Sequence, residues 1–256
     1  MMVVSIDPGG SVTAVGLPRD LVLVPLSDGT TWQEKLNALL AWADKHPQEA
    51  PEGGFAYLER EIGWLLGLEI DGYVFSGFEG VRRVVDALGG VDIVLDKPVD
   101  DPYYWIDATH RGVHFPAGPN HFDGRTALIF ARTRKGDNDF DRMRRQQQLV
   151  RAVVREAVEA GPEVVTRLLP VVAETLKTDL SLEQGLALYE LVARLDETRV
   201  ESAVLGPRKY ASAAYGPWGY GLRPDLEAIR AYVARTCPPV PPVEASPAPS
   251  STPAVP

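Results

Sequence analysis

The sequence predicts an α/β fold, and the order of its apolar segments supports that class. Two apolar runs, Met1 to Ile6 and Val12 to Leu17, flank a Pro-Gly turn signal and indicate two strands joined as a hairpin. Further along, a strand at Tyr73 to Phe75, a helix from Phe78 to Leu88 and a strand from Val91 to Leu95 follow one another. This succession of strand, helix and strand is typical of α/β proteins.

The rest of the chain is predicted to be mostly helical, with one long irregular segment. Between Asp96 and Asp123, Pro, Gly and aromatic residues break every periodicity, which predicts a long loop with short ordered pieces. Thr126 to Thr133 is predicted as a strand or a short helix, and Val200 to Leu205 as a late strand. Further helices are predicted at Trp32 to Asp44, Phe55 to Leu66, Asp141 to Ala160, Pro162 to Leu176, Ser181 to Leu195 and Pro224 to Arg235.

Length and composition indicate one folded domain with a tail. The 256 residues, of which 45% are hydrophobic, are enough to bury a sizeable core. We place the domain at residues 1–236 and a disordered, Pro/Ser/Ala-rich tail at residues 237–256. The net charge of -9 argues against a nucleic-acid partner, which usually needs a broad basic face. No run approaches the roughly 18 apolar residues of a membrane span, and no signal peptide is visible.

Basic residues are concentrated in one segment of this acidic chain. Residues 125–151 contain eight basic and three acidic side chains. Arg132 and Arg134 would share one face of a strand, and Arg142 and Arg145 would share one face of a helix. The planar guanidinium group suits bidentate hydrogen bonding to phosphate oxygens. The pattern predicts a phosphate or pyrophosphate site, and the alternative is a solvated helix face paired with the neighbouring aspartates.

Two smaller features bear on the chemistry. Arg19 follows the second strand, where α/β folds often place functional loops, although a surface ion pair with Asp20 is the plainer interpretation. His110 and His114 are four residues apart with His121 beyond, a spacing that suggests zinc. The glycines and prolines around them prevent the helix that would align the rings, so we disfavour that metal.

Several motifs, in order along the chain, resemble those of the LytR-CpsA-Psr family, and the resemblance covers about residues 1–236. The motifs are Leu17-Pro18-Arg19-Asp20, Asp71-Gly72-Tyr73-Val74, Val85-Asp86-Ala87-Leu88-Gly89-Gly90-Val91-Asp92, Phe122-Asp123-Gly124-Arg125-Thr126-Ala127-Leu128, Ala131-Arg132-Thr133-Arg134, Asp137-Asn138-Asp139-Phe140-Asp141-Arg142-Met143-Arg144-Arg145-Gln146-Gln147 and Thr178-Asp179-Leu180-Ser181.

The resemblance implies a single α/β domain in which a twisted central mixed sheet is flanked by helices that enclose an apolar lipid cleft. It also implies an enzyme that transfers a phosphorylated glycopolymer, such as teichoic acid, capsular polysaccharide or arabinogalactan, from a polyprenyl pyrophosphate carrier to peptidoglycan. The expected partners are the polyprenyl-pyrophosphate-linked glycan, a peptidoglycan acceptor and the membrane surface reached through the substrate. The expected location is extracytoplasmic, at the cell membrane or envelope.

The resemblance also assigns site residues by motif. Catalytic roles are expected for Arg19, Arg132, Arg134 and Asp139, and the pyrophosphate is expected to contact Arg19, Arg132, Arg134, Arg142, Arg145 and Gln146. The general base stays open between Asp20 and Asp139. Mg²⁺ is the expected cofactor, but the family's metal-binding aspartates lie just upstream of the strand that begins this chain. We therefore assign no metal ligand within the chain and expect an upstream segment to be missing.

Two other functions remain open. Because the metal-binding aspartates are not in the sequence, the chain is alternatively a module that binds polyprenyl phosphates or glycopolymers without chemistry. A transcriptional regulator is a further alternative, which the acidic composition and the lack of a recognisable helix-turn-helix disfavour.

Overall fold

The computed structural model describes residues 1–7, 11–134, 139–194 and 200–237. Its strands are β1 (Met2–Ile6), β2 (Val12–Gly16), β3 (Val24–Pro25), β4 (Thr31–Trp32), β5 (Val74–Ser76), β6 (Val91–Leu95), β7 (Val99–Trp105), β8 (Arg111–Phe115), β9 (Gly118–Phe122), β10 (Leu176–Thr178), β11 (Val200–Val204), β12 (Ala211–Gly216) and β13 (Gly219–Pro224). Its α-helices are α1 (Leu39–Ala43), α2 (Gly54–Leu66), α3 (Phe78–Leu88), α4 (Gly124–Arg132), α5 (Asp139–Glu159), α6 (Pro162–Thr175), α7 (Leu182–Ala193) and α8 (Leu226–Thr236).

The central sheet is mixed, as predicted. Its strand order is β1-β2-β11, with β1 antiparallel and β11 parallel to β2. Every residue of β2 is buried, as is usual for a central strand covered on both faces. The carboxyl ends of β2 and β11 lie at one edge of the sheet together with the start of β1, where Leu17 N–H donates to Met1 O at 3.0 Å. The α/β class and the single-domain prediction are confirmed.

Helix α5 connects two apolar clusters. One cluster surrounds the central sheet and includes α2 and α8, and Phe140 in the first turn of α5 packs against it. The other lies between α3, α4, β6 and β9, and contains Leu149 and Ala152 of α5. Helix α5 approaches β2 closely, since a Cβ atom on Gly16 would lie 3.0 Å from Met143 Cε and the Met143 side chain would have to shift to admit it. The first turn of α5 is thereby held at the carboxyl edge of the sheet.

Most predicted elements with clear periodicity are present. The β1–β2 hairpin, α2, β5, α3, β6, α6, α7, β11 and α8 all occur within a few residues of their predicted bounds. Helix α3 ends at Gly89, whose φ of 93° is the left-handed conformation that glycine adopts readily. A capping box forms at the start of α7 between Ser181 and Gln184.

The helix predicted from Trp32 to Asp44 is largely wrong. Trp32 lies in β4, a 3-10 turn follows at Leu36–Ala38, and α1 is only five residues long. The Leu36 N–H donates to Leu21 O at 2.7 Å, so a tertiary hydrogen bond replaces a helical one. The apolar residues that gave the helical spacing are nevertheless buried in the core.

The long loop predicted between Asp96 and Asp123 is also wrong, since the segment forms three strands. Strands β7 and β8 make a hairpin, and β9 pairs with β6. Strand β5 pairs with β10, so β5 and β6 share no ladder and the predicted strand-helix-strand succession is not a parallel unit. The β12–β13 hairpin had no predicted counterpart. Proline and glycine within these strands hid the alternation that marks a sheet.

The predicted tail begins one residue too early. Cys237 is buried, with 3% of its surface exposed, at the end of α8. Residues 238–256 lie outside the described residues. Within the described part of the chain, none of the helices combines the length and apolar character needed to cross a membrane.

Candidate functional site

Three arginines from separate parts of the chain converge at the carboxyl edge of the central sheet. Arg19 lies in the turn that follows β2, Arg134 follows α4, and Arg142 is in the first turn of α5. Burial lowers the pKa of the Arg142 guanidinium below its usual value, and the positive charges of Arg19 and Arg134 lower it further, whereas Asp139 raises it. The cluster is thus close enough for its members to repel one another.

Among the described residues, the neighbouring carboxylates offset only part of this charge. Asp139 Oδ1 lies 2.7 Å from Arg142 Nη2 and 3.9 Å from Arg134 Nε. Asp20 Oδ1 lies 2.8 Å from Lys35 Nζ, and its Oδ2 is 3.6 Å from Arg19 Nε. Each carboxylate therefore serves two cations.

Two donors of the cluster lack acceptors. Arg19 Nε and Arg142 Nε are buried, and neither has a hydrogen-bond partner in the part of the chain that the structure describes. Buried donors ordinarily form hydrogen bonds, and a buried donor that forms none costs about 1–3 kcal/mol. A bound anion with several oxygens would satisfy both donors and reduce the repulsion within the cluster.

The start of β1 borders this cluster. Burial lowers the pKa of the Met1 amino group, and the charge of Arg142 lowers it further while Asp139 opposes that effect. Residues at the start of β1 therefore face the same space as the arginines.

Arg145 and Gln146, predicted as pyrophosphate ligands, both donate hydrogen bonds to backbone carbonyl groups, and their role at the pyrophosphate stays a prediction. Arg145 is 4% exposed; its Nε donates to Phe130 O at 3.0 Å, and its Nη2 donates to Thr133 O. Gln146 Nε2 donates to Ala131 O at 3.3 Å. These side chains occupy carbonyl groups at the end of α4, where helical partners are lacking. They position the segment that carries Arg134.

Arg132 and Arg134 do not share a strand face, because Arg132 is the last residue of α4 and Arg134 belongs to no strand. Arg132 is exposed, and its guanidinium carbon lies 4.5 Å from the ring centroid of Phe78 in α3. Of the predicted site residues, Arg19, Arg134, Arg142 and Asp139 are brought together. Arg132 lies at the side of Phe78.

Asp101 is a site-forming residue that the sequence did not indicate. It lies on β7 with only 1% of its surface exposed, and its Oδ2 accepts from Thr133 Oγ1 at 2.5 Å and from Arg134 N–H at 3.0 Å. Its Oδ1 accepts from Tyr103 N–H at 3.0 Å. An aspartate inside a segment without periodicity gave no signal for this role.

No described group of residues forms an evident metal centre. Within the described ranges, no cluster of three or more His, Cys, Asp or Glu residues is arranged to hold a metal ion. The histidines that suggested zinc are instead each paired with a different aspartate, at Nδ1–Oδ distances of 2.9, 2.6 and 2.7 Å: His110 with Asp107, His114 with Asp100 and His121 with Asp92.

A comparison with known protein families agrees with the site geometry described above. The LytR-CpsA-Psr family model matches residues 1–218, which is most of the chain. This chain belongs to the LytR-CpsA-Psr family. The predicted family is therefore confirmed, and the arginine cluster lies within the matched region.

Individual family members show the same relationship. The polyisoprenyl-teichoic acid–peptidoglycan teichoic acid transferase TagV of Bacillus subtilis is 28% identical over 240 residues, covering 90% of this chain and 57% of TagV. The cell wall biosynthesis protein LcpA of Corynebacterium glutamicum is 28% identical over 207 residues, covering 74% of this chain and 38% of LcpA. The chain thus spans about half the length, or less, of these relatives.

The fold is also that of solved family structures. The crystal structure of B. subtilis TagV superimposes with a TM-score of 0.70 at 24% identity, covering 94% of this chain and 89% of the other. TagT bound to LIIa-WTA gives the same TM-score of 0.70 at 20% identity, covering 91% and 81%. At these identities the likeness concerns the fold.

Proposed function

We propose that this protein transfers a phosphorylated glycopolymer from a polyprenyl pyrophosphate carrier to peptidoglycan, on the outer side of the cell membrane. The observation that carries the proposal is the convergence of Arg19, Arg134 and Arg142, with buried donors left for an anion. Family membership supports the same chemistry, since TagV is named as a transferase of this kind.

The proposed reaction is a phosphoryl transfer. An acceptor hydroxyl oxygen attacks the phosphorus that bears the glycan, and the bond from that phosphorus to the bridging oxygen breaks. The products are the glycan phosphodiester and polyprenyl phosphate, and the hydroxyl proton passes to a base. Arg134 and Arg142 would neutralise charge that develops on the transferring and leaving oxygens, which is the main form of catalysis in this chemistry.

Asp139 is the proposed base, because it borders both arginines and 22% of its side chain is exposed. Asp20 is less suited, since Lys35 and Arg19 hold its two oxygens.

Exposed apolar side chains elsewhere on the domain suit the lipid carrier. Exposed apolar side chains on β5, α3 and α7 include Val74, Phe75, Phe78, Leu182 and Leu186. An exposed apolar patch of this kind marks an interaction surface. The Arg132 guanidinium lies over the Phe78 ring, so a cation contacts one of these exposed apolar side chains.

Mg²⁺ is part of the proposal but has no assigned ligands here. The described residues do not fit a metal site, because the two nearby carboxylates are occupied by cations and no acidic cluster is present among them. Ligands would have to come from residues outside the described ranges. Titration of the protein with inorganic pyrophosphate, in MgCl₂ and in EDTA, tests whether Mg²⁺ takes part in binding. Equal affinities for pyrophosphate in the two solutions would remove Mg²⁺ from the proposal.

The arginine cluster is tested with a control on the same helix. Arg142→Ala and Arg144→Ala both remove an arginine near the start of α5, but Arg144 is 64% exposed and pairs with Asp141. We expect Arg142→Ala and Arg134→Ala to weaken binding of geranylgeranyl pyrophosphate at least about tenfold, or about 1.4 kcal/mol. They should also abolish transfer from a lipid-linked donor. Arg144→Ala should change neither, and equal losses in all three variants would contradict the assignment.

The non-catalytic binding module remains the second candidate, because the described residues supply no metal site. It predicts that the wild-type protein binds geranylgeranyl pyrophosphate but transfers no glycan with Mg²⁺ present. The same preparation should show no specific DNA binding. If a protein–DNA complex forms but its affinity falls steeply as the salt concentration rises, the binding would come from phosphate contacts alone.

A further inference from the structure

We propose that the β7–β8 hairpin presents a platform for the acceptor glycan, formed by Tyr103, Trp105 and Arg111. The inference rests on the proposed function, because it takes the ligand to be the sugar chain of peptidoglycan. It adds a second binding surface, on residues that lie outside the arginine cluster.

The three side chains form one exposed group. Tyr103 is 52% exposed and Trp105 is 60% exposed, so neither ring belongs to the core. The Arg111 guanidinium carbon lies 4.8 Å from the Tyr103 ring centroid and 5.5 Å from that of Trp105. Trp105 and Arg111 are also opposite each other in the strand register. Cation–π contacts thus hold two rings and a cation together at the surface of a short sheet.

The platform is joined to the arginine cluster through one side chain. The buried Asp101 carboxylate accepts from Tyr103 N–H with one oxygen and from Arg134 N–H with the other, both at 3.0 Å. Tyr103 and Arg134 are therefore fixed relative to each other by two hydrogen bonds to the same group. A glycan lying along the hairpin would bring a hydroxyl towards the cluster.

The composition of the platform favours a sugar over an apolar partner. Tyrosine and tryptophan combine a broad apolar face with a polar edge, which suits the C–H face of a pyranose ring. The guanidinium donors suit the hydroxyl and carboxylate oxygens of a peptidoglycan strand. Further polar groups border the hairpin tip, where Arg125 lies 4.0 Å from Asp107 and His110 also pairs with Asp107.

Co-sedimentation with purified peptidoglycan sacculi and a fluorescence titration with chitotetraose test the platform. We expect Trp105→Ala to weaken both interactions about tenfold, and Trp105→Phe to restore most of the sacculus binding because a ring remains. The matched control is Tyr215→Ala, since Tyr215 is 79% exposed and makes an edge-to-face contact with Tyr220 on the other hairpin, β12–β13. The control should bind as the wild type does.

The outcomes separate this inference from the proposed function. Arg142→Ala should lose binding of geranylgeranyl pyrophosphate and keep sacculus binding. If Trp105→Ala binds sacculi as tightly as the wild type, the platform is wrong and the transfer reaction is unaffected. If Trp105→Ala loses sacculus binding but the wild type transfers no glycan, the result supports the platform and contradicts the proposed transfer reaction.

A second copy of the chain is the competing occupant of this surface. Light scattering after size-exclusion chromatography measures whether the protein forms a dimer. A wild-type dimer that Trp105→Ala converts to a monomer, with sacculus binding unchanged, would overturn the glycan assignment.

Discussion

Removing the Asp101 carboxylate should destabilise the protein and loosen Arg134 at the same time. The carboxylate accepts hydrogen bonds from Thr133 Oγ1, Arg134 N–H and Tyr103 N–H. Hydrogen bonds to a charged group contribute about 1.5–3 kcal/mol each, and donors that reach water after the change recover part of that loss. Arg134 and Tyr103 are exposed residues, so we expect Asp101→Ala to lower the free energy of unfolding by about 3–5 kcal/mol in total.

Urea unfolding followed by circular dichroism measures this loss. Thr133→Val removes one donor and keeps the side-chain shape, so it should cost about 1–2 kcal/mol. Asp100→Ala is the matched control, because Asp100 is the exposed neighbour on β7 and pairs only with His114 among the contacts described for its side chain. It should change the free energy of unfolding by less than about 0.5 kcal/mol.

The positional effect is measured at a temperature where every variant is folded. Asp101→Ala should then bind geranylgeranyl pyrophosphate more weakly than wild type, while Asp100→Ala binds equally. An Asp101→Ala protein as stable as the Asp100→Ala protein, with unchanged ligand affinity, would refute the role assigned to this carboxylate.

Three further predictions concern packing and pH. Gly16→Val should lower the free energy of unfolding by about 2 kcal/mol, because the new Cβ would lie 3.0 Å from Met143 Cε. Adding Met143→Ala to the Gly16→Val protein should restore part of the urea midpoint. An unchanged midpoint in Gly16→Val would contradict the contact. Burial and the charge of a neighbouring glutamate raise the pKa of Tyr232 to about 12, so its contribution to stability is present below pH 10 and is lost as pH rises towards 12. Ultraviolet titration against Tyr232→Phe should show one tyrosine fewer among the last to ionise. The hydrogen bond that His121 Nδ1–H donates to the Asp92 carboxylate raises the pKa of His121 above 6.5. The contribution of His121 to stability is therefore full below pH 6.5 and is lost as pH rises through the folded-state pKa. Asp92→Asn should lower the NMR-measured pKa of His121 towards 6.5, and a value that stays raised would exclude Asp92 as the cause.

Local periodicity accounts for the elements that the sequence predicted well. Helices such as α2 and α3 combine an apolar stripe with a terminal glycine, Gly67 and Gly89, that adopts a positive φ. Those signals lie within one element and do not depend on a partner. The segment of β7, β8 and β9 has no such signal, because each of its strands depends on pairing with another strand, and β9 pairs with β6 across more than twenty residues.

The site was predictable by residue type but not by role. Arg142 and Arg145 are three positions apart on one helix and are chemically identical, yet Arg142 faces the cluster whereas Arg145 binds carbonyl oxygens at the end of α4. A helical face of about 100° includes both, so spacing cannot separate them. Asp101 could not be chosen over Asp100 for the related reason that burial decides which of two adjacent aspartates accepts hydrogen bonds.

The sequence by itself determined the family, the α/β class and the concentration of arginine from which the anion site is built, because these depend on composition and on patterns within single segments. Only the tertiary structure decided which arginines meet. Arg19 and Arg142 are more than a hundred residues apart, and they converge because α5 packs against β2. The backbone of Arg134 is likewise held by a carboxylate from β7, and that contact exists only once the two segments have packed together.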